Sequence, residues 1–252
     1  MLPDPVVIAG LGQLGTLFAE GFLRLGHPVI PITRNTQVEE LENENFDPRL
    51  TLLCVGEDDW SPLFDALPAR LRARPGLVSN ELRAPDLEKV ANATTIIVWF
   101  ERKRGMPPTQ VRPSIVAGPE ARLASAAMRK FAMDSHEVTA AELPFELASK
   151  NLYILGLNLG GLLTRSENAL GLITTHEKNF LPLLEELIEL ETVASGVELS
   201  REALQRSFFE AIEADPKHGA LGRSAPLRLK RTLELGRHLG LTLPRIEGLP
   251  RG

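Results

Sequence analysis

Three glycines near the amino terminus have the spacing of a loop that binds phosphate groups. Gly10, Gly12 and Gly15 lie in the stretch VVIAGLGQLG, directly after a run of β-branched residues. In such a loop the first glycine allows a tight turn, the second lets a pyrophosphate approach the backbone, and the third lets the helix pack on the strand. The helix amides and its positive end attract the phosphates. The spacing predicts a dinucleotide site; a glycine-rich turn without a ligand is the alternative.

The residues after the second predicted strand indicate which dinucleotide binds. A carboxylate about 20 residues past the loop would bind the ribose 2′-hydroxyl and favour NAD. The chain has Arg34 there instead, and its first acid comes at Glu39. Because a guanidinium suits a 2′-phosphate, we expect NADP(H) as the cofactor. The expected contact residues in these two loops are Gly10, Leu11, Gly12, Gln13, Leu14, Gly15, Thr33, Arg34 and Asn35.

Two further residues that could take part in a reaction lie in the stretch FELASKNLYILGLNLGG. Lys150 and Asn158 are eight residues apart on a predicted helix. At 3.6 residues per turn their directions differ by about 80°, so both can line one cleft. The alternative is a solvated lysine at a helix start and an amide that packs helices together.

These residues need a scaffold, and the first half of the chain predicts a parallel sheet with helices on both faces. Apolar β-rich runs alternate there with helical runs, which is typical of a doubly wound α/β fold. The predicted strands are Val6–Ala9, Pro28–Ile32, Leu50–Val55, Gly76–Ser79, Thr95–Phe100, Ser114–Ala117 and a short segment at 136–138. The predicted helices are Leu14–Leu25, Trp60–Arg72 and Glu120–Met133.

The pattern changes after about residue 142, where all further apolar spacing is helical. Ser200 has the position of an N-cap, and Gly196 and Gly240 follow helical runs as C-terminal glycines do. We therefore expect an NADP-binding Rossmann-type domain over residues 1–142. An all-helical domain for substrate binding or dimerisation is expected over residues 143–252.

Composition excludes several function classes. The chain has 252 residues and a formal net charge of -5, so no overall basic field attracts nucleic acid. The basic run at 101–105 is interpreted as a solvated turn. The single cysteine, Cys54, cannot form an internal disulfide and is expected to be a small buried hydrophobe. We expect no metal, no membrane segment and a cytoplasmic location.

The order of these motifs resembles the ketopantoate reductase family (2-dehydropantoate 2-reductases), within the 6-phosphogluconate-dehydrogenase-like group. The stretch GLVSNEL is similar to the family's strand that ends in Asn-Gly, with Asn80 at the asparagine and Glu81 at the glycine. The stretch ASKNLYILGLN is similar to its Lys-x₃-Asn-x₃-Asn helix start. Lys150 matches the lysine, Asn158 the second asparagine, and Ile154 replaces the first.

The resemblance implies reduction of a small 2-keto acid by NADPH, within pantothenate biosynthesis. Lys150 would be the general acid that protonates the alkoxide, a role that suits a partly desolvated lysine. Asn80 would contact the cofactor and take part in catalysis, whereas Asn158 and Ser224 would bind substrate. A homodimer is compatible with the small residues of the apolar helix, but the sequence does not decide it.

The chain also departs from the family pattern. The family's substrate-binding glutamate has no counterpart near Ser224, and acids at Glu57, Asp58 and Asp59 stand where a lysine is expected. A solvated acidic loop is expected there. Two alternatives therefore remain open. The protein could bind NADP as a sensor or scaffold without reductase activity, or it could act on a different small hydroxy acid or an imine.

Overall fold

The computed structural model describes residues 3–43, 46–102 and 106–250, without the side chains of Glu39 and Asn43. The chain divides into two compact units. The first contains residues 1–82 and 86–143, and the second contains residues 83–85 and 144–252. The short segment Arg83–Pro85 therefore belongs to the second unit although it lies early in the sequence. The expected functional domains, divided at 142/143, stay a prediction.

A seven-stranded, mostly parallel sheet forms the centre of the first unit. Its strands follow the spatial order β2-β1-β3-β4-β5-β8-β9, and β5 and β8 are the antiparallel neighbours. A separate hairpin pairs β6 with β7. The strands are β1 (Val6–Ala9), β2 (Val29–Ile32), β3 (Leu50–Leu53), β4 (Pro75–Leu77), β5 (Thr94–Ile97), β6 (Phe100–Glu101), β7 (Thr109–Gln110), β8 (Ser114–Ala117) and β9 (Ser135–Glu137). The predicted α/β class with a Rossmann-type sheet is confirmed.

Helices along the first part of the chain connect these strands. They are α1 (Gln13–Arg24), α2 (Trp60–Ala66), α3 (Ala69–Arg72), α4 (Ala84–Glu88) and α5 (Ala121–Lys130), with a 3₁₀ helix over Val38–Asn43. Phe18 and Phe22 of α1 pack with Met128 of α5 against one face of the sheet, where Val6 and Ile8 are fully buried. Val7 alternates to the other face and is equally buried. Two-sided burial explains why these strands read as continuous apolar runs.

Several predicted elements of this unit differ in extent by one to three residues at an end, and two differ in kind. The single helix expected over Trp60–Arg72 is two helices, because Leu67 and Pro68 between them adopt extended backbone angles. Pro68 disfavours helical geometry in the residue that precedes it. The strand expected over Thr95–Phe100 ends at Ile97, and Phe100 starts the separate β6–β7 hairpin. Thr109, which pairs with Glu101, is exposed, and the sequence at this hairpin lacks two-residue alternation.

The second unit is helical, and an isolated β-bridge joins Asn168 to Gly219. Its helices are α6 (Leu143–Thr164), α7 (Ala169–Ile173), α8 (Glu177–Ala194), α9 (Arg201–Ala214), α10 (Ala225–His238) and α11 (Pro244–Glu247). Ser200 caps α9 by accepting a hydrogen bond from the Ala203 amide at 3.2 Å. Gly196 and Gly240 end helices with φ of 70° and 68°, in the left-handed region. These three predicted helix boundaries are confirmed.

Candidate cofactor site

The glycine loop between β1 and α1 has three different steric demands. Gly10 has φ of 90°, and an added Cβ would lie 2.6 Å from the Cys54 carbonyl oxygen. At Gly15 an added Cβ would lie 1.9 Å from the Gly10 carbonyl oxygen. At Gly12 it would meet nothing within 4 Å. Gly10 and Gly15 are therefore required by the fold itself, whereas Gly12 leaves open space in front of the backbone.

The first turn of α1 presents its positive end to this open space. Gly12 is the N-cap, no side chain caps the helix start, and the first turn carries no acidic residue. Thr16 donates from Oγ1 to the Gly12 carbonyl at 2.7 Å and so holds the loop against the helix. Amides at an uncapped helix start bind anions, and the macrodipole adds to the attraction.

A cavity of about 970 Å³ opens beside this loop. Its walls come from the carboxyl ends of β1, β2 and β3, which are neighbours in the sheet, and from the start of α2. The described lining residues are Gly10, Leu11, Gly12, Ile32, Thr33, Arg34, Asn35, Cys54, Val55, Gly56, Asp59 and Leu63. Carboxyl ends of parallel strands form the crevice in which open α/β sheets bind ligands.

Arg34 extends from a turn that is ordered by its own hydroxyl groups. The Thr33 amide donates to Thr36 Oγ1 at 2.9 Å, and the Asn35 amide donates to Thr33 Oγ1 at 3.3 Å. Arg34 itself is exposed and lines the cavity. The turn therefore fixes the backbone while the guanidinium stays accessible to a ligand.

Of the nine cofactor residues predicted in the two loops, six line this cavity and three do not. Gly10, Leu11, Gly12, Thr33, Arg34 and Asn35 are on the wall. Gln13, Leu14 and Gly15 are outside the described lining; the Leu14 side chain packs against the core. They lie in the first turn of α1, so backbone amides are what they offer to a phosphate.

Asn80 follows β4, three residues past its end, and is also outside the described lining of this cavity. Its Nδ2 donates to Glu57 Oε1 at 3.3 Å. The next residue, Glu81, has φ of 62°. A left-handed backbone suits the glycine that the resemblance places there, so the turn keeps its geometry with a different residue.

Cys54 is a cavity residue that the sequence did not single out as one. It follows β3, and β3 pairs with β1, so its position brings it beside the glycine loop. The rule that neighbouring parallel strands share one crevice would have located it. Burial raises the pKa of the Cys54 thiol. The thiolate is therefore scarce at neutral pH, and Cys54 forms part of the cavity wall rather than acting as a nucleophile.

Lys150 lies in the second unit, in the second turn of α6. It is half-buried, and its Nζ is 5.7 Å from the centroid of the Tyr153 ring. Tyr153 is itself buried. This distance is within the range of a cation–π interaction, which orients the ammonium group.

Asn158 is buried on the same helix and bonded within the protein. Its Nδ2 donates to the Ile154 carbonyl at 2.8 Å, and its Oδ1 accepts from the Gly222 amide at 3.2 Å. Two residues further on, Ser224 is exposed and immediately precedes α10. The structure thus brings Asn158 next to the turn that carries Ser224, and it gives the amide a role in holding that turn.

A buried ionic network in the second unit was missed by the sequence reasoning. Arg83 Nη2 donates to Glu191 Oε1 at 2.5 Å, and Asn151 Nδ2 donates to Glu191 Oε2 at 3.1 Å. Glu191 and Asn151 are each 1% exposed. A glutamate in a helix of ordinary composition gives no sequence signal for burial, because its partner lies 108 residues away.

Together, the glycine loop, the uncapped start of α1 and the strand-end cavity define a dinucleotide-binding fold of the Rossmann type. No protein-family model matches the sequence, and no curated protein matches it either. Among solved structures, the chain is similar to a PanE/ApbA family ketopantoate reductase from Ralstonia eutropha, with TM-score 0.69 and 17% identity over 96% of this chain and 95% of that one.

Two further solved structures are similar over nearly their whole length. A D-mandelate dehydrogenase in complex with NADH gives TM-score 0.66 and 13% identity, covering 96% of this chain and 95% of that chain. A ketopantoate reductase from Staphylococcus aureus, described as dimeric, gives TM-score 0.64 and 16% identity with the same coverage. The chain therefore has the ketopantoate reductase fold, and the predicted resemblance is confirmed at the level of fold.

None of the described helices combines the length and the apolar character needed to cross a membrane. No group of three or more histidine, cysteine, aspartate or glutamate side chains is arranged to hold a metal ion among the described residues.

Proposed function

We propose that the protein is an NADP(H)-dependent reductase of a small 2-keto acid. The observation that carries this proposal is the cavity that joins the glycine loop to Arg34. Its open backbone at Gly12 suits a diphosphate, and its exposed guanidinium suits a 2′-phosphate. The fold adds support, since ketopantoate and mandelate, named for the similar structures, are a 2-keto acid and a 2-hydroxy acid.

The residues present fit the cofactor. The amides of the α1 first turn would hold the diphosphate, and Arg34 with Thr33 and Asn35 would hold the adenosine 2′-phosphate. The first carboxylate after β2 in the described cavity wall is Asp59, which follows β3 rather than β2. In the sequence, residues 33–38 directly after β2 include no acid that would repel a phosphate group.

When bound, NADPH would supply the hydride that reduces the ketone carbon. We assign the matching proton to Lys150, whose ammonium group would protonate the alkoxide oxygen and give the hydroxy acid. Asn80 would hold the cofactor or substrate by hydrogen bonds, with Glu57 orienting its amide through the 3.3 Å contact. Asn158 has one Nδ2 hydrogen beyond its bond to Ile154, and Ser224 has an exposed hydroxyl. Both remain proposed substrate contacts.

The role of Lys150 is tested by Lys150→Ala, measured with NADPH and a panel of 2-keto acids that includes ketopantoate. We expect kcat to fall by about 10²-fold or more, because general acids typically contribute that much. The dissociation constant of NADPH should stay unchanged. Lys178→Ala is the matched control, because Lys178 is an exposed lysine on α8. Unchanged turnover in Lys150→Ala would remove Lys150 from the chemistry.

A second candidate function is NADP binding without reduction of a 2-keto acid. The observation that favours it is the internal bonding of Asn158, which commits its Oδ1 to Gly222 rather than to a ligand. Tight NADPH binding without oxidation by any 2-keto acid would favour this candidate. Oxidation of NADPH by imines alone would place the enzyme on a different substrate class.

A further inference from the structure

Arg102 lies beside the first turn of α1, although 89 residues separate it from that helix in sequence. It directly follows β6, and its Nη1 is 3.4 Å from the carbonyl oxygen of Gln13, the first residue of α1. The sequence interpretation placed it in a solvated turn at 101–105. Within that run Lys103, Arg104 and Gly105 lie outside the described residues. Arg102 itself is half-buried.

The helix start makes an unfavourable electrostatic contribution at this guanidinium, which an anion would offset. A helix start carries a partial positive charge, and cations are stabilised at the opposite end. The first turn of α1 contains no acid that would offset Arg102. The Gln13 carbonyl is a weak partner, because the contact is long and the acceptor is neutral. A phosphate group would be a stronger acceptor for the same guanidinium.

The neighbouring residue Gly12 connects Arg102 with the cofactor cavity. Gly12 caps α1, lines the cavity and leaves open space in front of its Cα. Arg102 contacts Gln13, the residue next to Gly12 in the chain, so its guanidinium lies beside the loop where the diphosphate is proposed to bind. Arg34 lines the same cavity from the end of β2. The two guanidinium groups approach the site from different elements.

We propose that Arg102 is a second cationic ligand of the cofactor and binds its diphosphate, while Arg34 binds the 2′-phosphate. This assignment rests on the proposed binding of NADP(H). On binding, the guanidinium exchanges its contact with the Gln13 carbonyl for a charge-assisted contact with a phosphate oxygen. The glycine loop and Arg102 would then enclose the diphosphate from two sides.

The assignment is tested by calorimetric titration of Arg102→Ala and Arg102→Gln with four probes: NADPH, NADH, ADP and adenosine. We expect affinity for NADPH, NADH and ADP to fall together by about 10-fold or more, as for loss of a charged hydrogen bond. Adenosine, which lacks phosphate, should bind as it does to the wild type. The loss should shrink as salt increases, because dissolved ions screen the attraction between the guanidinium and the phosphate.

Arg122→Ala is the matched control, because the Arg122 side chain on α5 is 94% exposed in the same unit. It should leave all four affinities unchanged. A merely structural Arg102 would lower the unfolding temperature when replaced, whereas we expect it to stay equal or rise, since a cation leaves a positive helix end.

Each other result has a definite meaning. Wild-type affinity in both Arg102 variants would overturn the assignment while leaving NADP(H) binding intact. A loss confined to NADPH would also overturn it, because Arg102 would then contact the 2′-phosphate. Failure of the wild type to bind any dinucleotide would refute the proposed function itself, and this outcome is visible before any variant is made.

Discussion

At the scale of single residues, the glycine loop shows which positions the fold needs and which a ligand needs. Gly10 and Gly15 are fixed by contacts with Cys54 and with each other. Gly12 has no such neighbour, so packing does not explain a glycine there. The sequence spacing predicted all three, because each lies within six residues of the same turn and depends only on local geometry.

Residues that act through distant partners were not predictable in the same way. Asn80 was expected from the resemblance of GLVSNEL to the family's strand that ends in Asn-Gly, but its bond to Glu57 depends on two loops meeting. Arg102 gave no signal beyond a charged run. Local patterns report backbone geometry, whereas the partner of a long charged side chain is set by tertiary packing.

Glu142 carries a prediction about pH. The Thr139 amide and hydroxyl both donate to Glu142 Oε2 at 2.8 Å, which is a capping box before α6. The backbone hydrogen bond, followed by that of the hydroxyl, lowers the pKa of Glu142. A carboxyl titration by NMR should place the pKa of Glu142 below that of an ordinary glutamate, and Thr139→Ala should raise it part of the way back.

The sign of the stability effect follows from that direction. A lowered folded-state pKa means that the ionised Glu142 stabilises the fold above its unfolded-state pKa. This contribution is lost as pH falls through the folded-state pKa. Glu142→Gln should therefore be less stable than the wild type at pH 7, with the difference vanishing in acid. A Glu142 pKa at or above the ordinary value would contradict the capping geometry.

At the scale of elements, the buried strands were the most predictable features. β1 and β8 have the predicted bounds, because uninterrupted apolar runs between turn residues leave little freedom. The break between α2 and α3 was missed, although Pro68 marks it. The apolar residues on both sides of Pro68 have helical spacing, so the pattern predicted one continuous helix. The restriction that Pro68 places on the preceding residue breaks that helix.

The network of Arg83, Glu191 and Asn151 carries a prediction about stability. It fixes the segment at 83–85 to α8 within the second unit. Glu191→Ala would leave the Arg83 charge without its buried carboxylate. We expect a loss of about 3 kcal/mol in the free energy of unfolding, as for a broken buried ion pair. Urea denaturation followed by circular dichroism measures it.

Glu234→Ala is the comparison for this prediction. The pair of Lys230 and Glu234 has side chains 69% and 52% exposed and a separation of 3.9 Å. Its loss should cost less than about 1 kcal/mol, because water screens surface ion pairs. Equal losses in the two variants would show that Glu191 does not stabilise the second unit through its burial.

At the scale of the whole molecule, the sequence predicted an α/β sheet followed by helices, and the structure confirms this order of elements. The strand order and the antiparallel β8 could not be derived, because pairing partners are not encoded in local periodicity. The grouping of residues 83–85 with the helical unit could not be derived from the sequence either. Within the candidate site, the sequence spacing predicted the glycine loop and Arg34. The part of the cavity wall formed by Asp59 and Leu63 was not predicted, because it depends on how α2 lies beside the sheet.

The most direct test of the account is isothermal titration of the wild type and Arg34→Ala with NADPH and with NADH. We predict that the wild type binds both and prefers NADPH, and that Arg34→Ala loses about 10-fold or more in affinity for NADPH alone, because only NADPH carries the 2′-phosphate. Arg122→Ala should bind both as the wild type does. Absence of binding heat with both coenzymes, or tighter wild-type binding of NADH than of NADPH, would contradict the account.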